Sequence, residues 1–275
     1  MSPTGEVLEI VRMGGETEER AYVHLVGKFA VLPSRKSLKK ALKAQRIIDI
    51  ETGEALSELS SLRKGMPIAL LAADSLPPVW EFPLKVVYED DDLAVVYKPS
   101  GMTTASAKRR CLKNALAFNL KVSQSQGRLA APLPVHRLDH ATEGLLVCAK
   151  TAPALATLGT QFEARKVKKT YEAIVLGHYS GQGIIDSPID GKDAITRVVK
   201  IEPYTTRSGE QRSKLILEPM HGRTHQLRIH LSSLGHPIVG DRLYGSTARG
   251  KLRLRSVGVE FTHPVLKSRL SIAFQ

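Results

Sequence analysis

The feature that most constrains the fold is a succession of strand-like runs that do not alternate strictly with helices. "LKVVYEDDDLAVVYK" (84–98) reads as a hairpin, two β-rich runs around Asp90, Asp91 and Asp92. "GLLVCAK" (144–150) is a continuous apolar run fit for a buried strand, "KKTYEAIVL" (168–176) alternates, and "AITRVVKIEP" (194–203) and "SKLILEPM" (213–220) add two more strands. Helical spacing appears at Leu112, Ala115, Leu116 and Leu120. A second helix is expected from Thr151, its N-cap, to about Val167, with Pro153 in its first turn. A third lies in "RTHQLRIHLSSLG" (223–235), with Thr224 as cap, Leu227, Leu231 and Leu234 on one face and Gly235 as its stop. The segment 121–134 reads as polar and irregular. Strands outnumber helices, so the expected class is α+β with a mixed, mostly antiparallel sheet.

The first 76 residues are a separate unit. "PSRKSLKKALKAQRII" (33–48) holds six basic residues and no acid. Leu38, Ala41 and Leu42 form a helical apolar stripe and Ser34 is a fitting N-cap. Lys36, Lys39, Lys40 and Lys43 fall on the other side. A strand–turn–strand follows around Thr52-Gly53, then a turn at Lys64-Gly65 and an apolar strand. This is a small α/β module. "AADSLPPVWEFP" (72–83) reads as the linker, placing a second domain at 77–275.

The 275 residues carry 40 Lys and Arg against 27 Asp and Glu, a net charge of +13. Such a surplus favours a polyanionic partner, nucleic acid first. The lysine face at 36–43, with Arg46, suits an RNA backbone or is simply solvated. The two cysteines, Cys111 and Cys148, form no CxxC pair, and Cys148 in "LLVCAK" reads as a small core residue. With neither an apolar leader nor any run of 18 apolar residues, a cytoplasmic protein outside the membrane is expected.

Phosphate-binding motifs of the GxGxxG and GxxxxGK[ST] kinds do not occur in strand-to-helix context, and GxSxG is absent. His136 and His140 are four apart but lack the zinc-protease residues between them and a third ligand. His225, His230 and His236 follow no recurring ligand spacing, so neither a metal nor a nucleotide cofactor is expected. What remains is Asp139, close to Arg137. An arginine nearby keeps a carboxylate anionic even when partly buried. Such a group is a nucleophile or base, or an ordinary loop aspartate paired to a neighbour.

"HRLDHATEGLLVCAK" (136–150) resembles the catalytic motif of the A-type family of ribosomal-large-subunit pseudouridine synthases, written H-R-L-D-x-x-T-S-G-L-L-x-x-A-K. "VVYEDDDLAVVYKPSG" resembles the opening motif, "KKTYEAIVLG" the tyrosine strand, and "GRTHQLRIHLSSLGHPIVGDRLYG" the closing motif. The four stand in order over residues 84–245. Residues 34–68 resemble the alpha-L RNA-binding module, with Thr52 and Met66 where Asn and Asp are usual. The resemblance implies a pseudouridine synthase fold and isomerisation of one uridine in structured RNA, ribosomal RNA first and transfer RNA second, without cofactor, by a monomer. It implies Asp139 as catalytic carboxylate, Tyr171 as the stacking tyrosine with a part in proton transfer, Arg228 as the arginine pairing with the carboxylate, and Arg137 as the residue filling the space of the extracted nucleotide. Glu143 departs from the motif and either adds negative charge near the site or, as favoured, faces solvent. Lys108, Arg109 and Arg110, in place of the usual continuation after "KPSGM", form a basic loop suited to RNA or to solvent. A ribosome-assembly factor that has lost activity is the rival reading, disfavoured by the intact Asp139, Tyr171 and Arg228.

Overall fold

The computed structural model describes residues 7–14, 20–72, 79–106, 109–181 and 183–274. Pro77 and Pro78 of the expected linker, and Lys108, lie outside the described residues.

The N-terminal unit contains β1 (Val7–Arg12), α1 (Ala21–Leu25), α2 (Arg35–Lys43), β2 (Ile47–Asp49) and β3 (Pro67–Leu71). The strands form an antiparallel sheet in the order β1-β3-β2, and the central β3 is buried along its whole length. α2 buries Leu38, Ala41 and Leu42, the predicted stripe, against Leu25, Phe29, Ile47, Ile68 and Leu70. Its N-terminus is closed reciprocally. The Ser37 amide donates to Ser34 Oγ at 3.1 Å, and the Ser34 amide donates to Ser37 Oγ at 3.1 Å. Two of the helix's orphan amide donors are thereby satisfied. The strand expected after Thr52-Gly53 is reduced to one bridge, Ile48 to Ala55. The polar, acidic segment there offers too few apolar positions to bury.

The second unit contains β4 (Lys85–Glu89), β5 (Leu93–Lys98), α3 (Leu112–Asn119), β6 (Arg128–Pro134), β7 (Glu143–Thr151), α4 (Ala152–Glu163), β8 (Lys168–Leu176), β9 (Ile184–Asp186), β10 (Ile195–Thr205), β11 (Gln211–Pro219), α5 (Gln226–Ser233), β12 (Leu254–Thr262) and β13 (Arg269–Ala273). The sheet runs β4-β5-β7-β12-β8-β11-β10-β9, with β6 also on β7 and β13 also on β12. Among the described residues only β7 and β12 are parallel, so the class is α+β and the sheet mixed and mostly antiparallel. β5 and β7 are covered on both faces. Ala94, Val96, Leu146 and Cys148 pack with Leu112 and Leu116 of α3, while Leu93, Val95, Leu145 and Val147 pack with Leu158 of α4. That double burial is why both strands read as unbroken apolar runs.

Three local expectations are corrected. Residues 128–134, read as irregular, are β6, an edge strand whose pairing with β7 is interrupted between Arg128 and Leu133. Pro132 and Pro134 supply no amide donors, which thins the ladder and hides the strand from periodicity. α4 stops at Glu163 rather than near Val167, because Arg165 takes a left-handed conformation (φ 58°). Its predicted cap holds, with Thr151 Oγ1 accepting from the Ala154 amide at 3.3 Å. α5 starts one residue later than expected, its cap position being His225 and not Thr224.

The parallel contact joins the two halves of the sheet through only two residue pairs, Arg255 with Glu143 and Ser256 with Gly144. Gly144 has φ 118°, and a Cβ there would lie 2.2 Å from the Ser256 carbonyl oxygen. Gly144→Ala therefore combines backbone strain with overpacking against backbone that cannot yield. It is expected to cost about 2–5 kcal/mol in stability, read from the denaturant midpoint at constant m-value.

Candidate active site

Asp139 lies in the loop between β6 and β7, directly before that seam. The loop is clamped by the segment after β5. Lys98, wholly buried, donates from Nζ to the carbonyls of Pro99 (3.0 Å), Met102 (2.8 Å) and His140 (3.4 Å). The Gly101 amide donates to the His140 carbonyl at 2.8 Å and Ser100 Oγ to the Ala141 carbonyl at 2.8 Å. Thr104 Oγ1 donates to the Leu138 carbonyl (3.1 Å) and accepts from its amide (3.2 Å). Burial pushes the Lys98 amine down to about 8, against the pull of the negative charges of Asp139 and Glu143. The "KPSG" stretch thus holds the aspartate loop in place. In sequence it shows as a lysine ending an apolar strand and as the close of the stretch that resembles the opening motif.

The Asp139 carboxylate is 20% exposed. Arg228 Nη1 is 3.9 Å from its Oδ2, and His225 Nε2 is 3.8 Å from the same oxygen. The main partner of Arg228 is another residue. Its Nε donates to Asp241 Oδ2 and its Nη2 to Asp241 Oδ1, both at 2.7 Å, and its guanidinium lies 4.9 Å from the Tyr244 ring. The expected partner Asp139 is met at ion-pair distance, while the closer, bidentate pair of Arg228 is with Asp241. The planar fork is spent on Asp241, and only the remaining nitrogen faces Asp139. Asp241 is buried in a turn that needs glycine before it: Gly240 has φ 81°, and a Cβ there would sit 2.2 Å from the Lys251 carbonyl oxygen.

α5 divides its side chains by helical spacing. His225 and Arg228 face Asp139. Gln226 and His230, four apart, reach the other way: Gln226 Nε2 donates to the Ile195 carbonyl (2.9 Å), while His230 contacts Thr196 Oγ1 and the Ser187 carbonyl, each at 3.0 Å. Leu227 and Leu231 enter the core with Ala173, Leu215 and Leu217.

Tyr171, in the middle of β8, is half-buried beside the same cavity. Burial and the charge of Asp139 push its phenol up, against a hydrogen bond with Ser256. The cavity, about 300 Å³, is lined by Arg137, Asp139, Tyr171, His225 and Arg228, with Arg165, Lys169 and Arg223 adding cations. Arg137 is exposed at the cavity mouth and also lines a neighbouring cleft with Thr103 and His140. His136, His221 and His225 line this cavity, and among the described residues no group of three His, Cys, Asp or Glu could hold a metal ion. The Val147 amide donates to His136 Nε2 at 3.0 Å, the ring stacks on Phe162, and burial pushes it down to about 3. His236 Nδ1 contacts the Leu176 carbonyl.

One surface expectation changes, and two basic residues of the N-terminal unit also make contacts within the protein. Glu143 is half-buried and hydrogen-bonded to the Tyr97 hydroxyl, not turned to solvent. Lys39 lies 3.4 Å from Glu58 and 4.6 Å from the Tyr22 ring, so tertiary structure supplies the acid that the helix lacks. Arg46 is half-buried and donates from Nε to the Leu71 carbonyl at 2.9 Å. Lys36, Lys40 and Lys43 remain exposed. In the basic loop, Arg109 donates to the Val79 carbonyl.

The fold is that of pseudouridine synthases. The human RNA pseudouridylate synthase domain-containing 1 structure superposes with a TM-score of 0.56 at 25% identity, over 74% of this chain and 86% of that one. The family model described as RNA pseudouridylate synthase matches residues 92–233. An RNA pseudouridine synthase of Aquifex aeolicus (strain VF5) is 34% identical over 87% of this chain and 80% of the relative. The dual-specificity RNA pseudouridine synthase RluA of Escherichia coli (strain K12) is 35% identical over 66% of this chain and 88% of the relative. The chain belongs to the RNA pseudouridylate synthase family, and its activity is that of an isomerase acting on RNA.

Proposed function

We propose that this synthase isomerises a uridine of structured ribosomal RNA, with Asp139 as its catalytic carboxylate. The observation that carries the assignment is the placement of Asp139: an anionic oxygen at the wall of a nucleotide-sized cavity, 3.9 Å from an arginine nitrogen that the Asp241 pair leaves over. Ribosomal RNA is favoured by relatives such as the ribosomal large subunit pseudouridine synthase D of Vibrio cholerae, 34% identical over 70% of this chain. A uridine in a helix or tight loop reaches Asp139 only after leaving its stack, at a cost of a few kcal/mol. Stacking on Tyr171 and occupation of the vacated space by Arg137 offset that cost. The base is then detached from the ribose, turned, and rejoined through C5, with no energy input or cofactor. The chain acts as a cytoplasmic monomer. Tritium release from RNA labelled at uridine C5, with chelator present, tests the reading. Release is expected from ribosomal RNA transcripts, and release from transfer RNA alone would refute the substrate.

The N-terminal unit serves as an RNA-binding module through Lys36, Lys40 and Lys43, with Lys39 and Arg46 contributing less because they are engaged within the protein. Each phosphate neutralised steepens the salt dependence of binding. Replacing Lys36, Lys40 and Lys43 by Gln is expected to reduce the slope of log affinity against log salt by about 2–3. The thermal midpoint should hardly move, since exposed charges contribute little to folding. An unchanged slope would show the face to be merely solvated.

A further inference from the structure

We propose that His225 Nε2 is the base that removes the C5 proton from the rejoined uracil, an inference that rests on the assignment of Asp139 above. The chemistry requires such a group. When the C5–C1′ bond replaces N1–C1′, C5 carries both its hydrogen and the ribose, and N1 is doubly bonded to C6. Loss of the C5 proton returns the C–H electron pair to C5=C6, and the C6=N1 pair moves onto N1, which takes up a proton. One proton leaves, one is gained, and nothing is oxidised or reduced.

The cavity offers few free lone pairs for this step. Asp139 is committed to the sugar–base exchange. Tyr171 holds its proton too firmly to act as an acceptor, because burial and Asp139 both raise it. The ring nitrogens of His136 and His221 that accept from backbone are taken, the first by the Val147 amide at 3.0 Å and the second by the Ile195 amide at 3.0 Å. Arg137, Arg165, Arg223 and Arg228 are cations, and Lys169, whose amine burial pushes down, makes no ion-pair contact with Asp139 as His225 does.

His225 differs from all of these. It is half-buried in the cavity wall, its Nδ1 lies 2.9 Å from the Tyr244 hydroxyl, and its Nε2 lies 3.8 Å from Asp139 Oδ2. In the tautomer with Nδ1–H donating to Tyr244, Nε2 presents a lone pair to the cavity. The imidazolium formed after proton transfer then faces the Asp139 carboxylate. The Tyr244 ring lies edge-on at 5.6 Å, and Arg228, which shares the Asp139 oxygen, has its charge paired with Asp241. The residue holds this position with φ 56°, a left-handed conformation that side chains other than glycine seldom adopt and that clusters at functional sites.

The test compares RNA bearing uridine at the target position with RNA bearing 5-fluorouridine. Fluorine does not leave C5 as a proton would, so the fluorinated base is detached and rejoined, and its C6=N1 bond then adds water, OH to C6 and H to N1, which sets the product apart by the mass of one water. For His225→Gln, turnover of uridine RNA is expected to fall about 10²–10⁴-fold. Single-turnover rearrangement of the 5-fluorouridine RNA, followed by mass spectrometry of the nucleosides, should stay within about threefold of wild type, which also reports an intact fold. Equal loss on both RNAs would overturn the proposal, since His225 would then act through Asp139. So would wild-type turnover of uridine. Tyr244→Phe, which removes only the hydroxyl that orients Nδ1, should slow uridine turnover about tenfold and spare the fluorinated substrate; no slowing would likewise count against it. Asp139→Asn should lose both reactions. If it retained them, the Asp139 assignment would fail independently of the result at His225.

Discussion

Asp139→Asn is expected to reduce pseudouridine formation by at least about 10³-fold while leaving RNA affinity within about threefold of wild type. The substitution keeps the size and planarity of the side chain but removes the anionic oxygen next to Arg228 Nη1. Affinity should survive because phosphate contacts from lysines and arginines position RNA without reading the reacting base. The loop itself should stay in place. It is held by backbone carbonyls bonded to Lys98, Ser100 and Gly101, none of which involves the carboxylate. The measurement is single-turnover product formation alongside a binding isotherm, with mass spectrometry of the protein to exclude deamidation back to aspartate. Product at the wild-type rate from verified Asn protein would refute the assignment.

Asp241→Ala is expected to do two things at once. It leaves the buried Arg228 guanidinium without its two 2.7 Å acceptors, and breaking one side of a buried pair costs about 3–5 kcal/mol. It also frees the guanidinium to leave its place beside Asp139, and misplacement by about 1 Å costs on the order of 10²-fold in rate. Asp241→Asn keeps one acceptor and should fall between Ala and wild type in both respects. Denaturant unfolding and turnover on the same preparations separate the effects. An Ala variant with wild-type stability would mean that the pair does not hold Arg228, and wild-type turnover would mean that its position is immaterial to Asp139.

Neither Asp241 nor its role was visible in the chain, although both lie within the "VGDRLYG" stretch that marks the family. Arg228 stands out in sequence, but the choice between Asp139 and Asp241 as its partner rests on which carboxylate the turn after Gly240 brings to a fork that accepts only one bidentate partner. The same holds for Lys98, which reads as the polar end of a strand until the aspartate loop is seen resting on it. Lys39 reads as one of four equal lysines until Glu58 and Tyr22 are placed against it.

What the sequence by itself determined is what residues a few positions apart can enforce. The stripe of Leu38, Ala41 and Leu42 and the Ser34 cap made α2, the acidic turn at Asp90–Asp92 closed the β4–β5 hairpin, and Thr151 started α4. Doubly buried β5 and β7 announced themselves as apolar runs, and the order of motifs announced the family. Tertiary structure alone decided which charges meet, where α4 ends, that β6 pairs at the edge of β7, and that His225 is held in a left-handed turn facing Asp139. The reason is one of range. Periodicity and capping act within about one helical turn, whereas the partner of a buried charge is fixed by the desolvation of both groups together, and that depends on segments far apart in the chain.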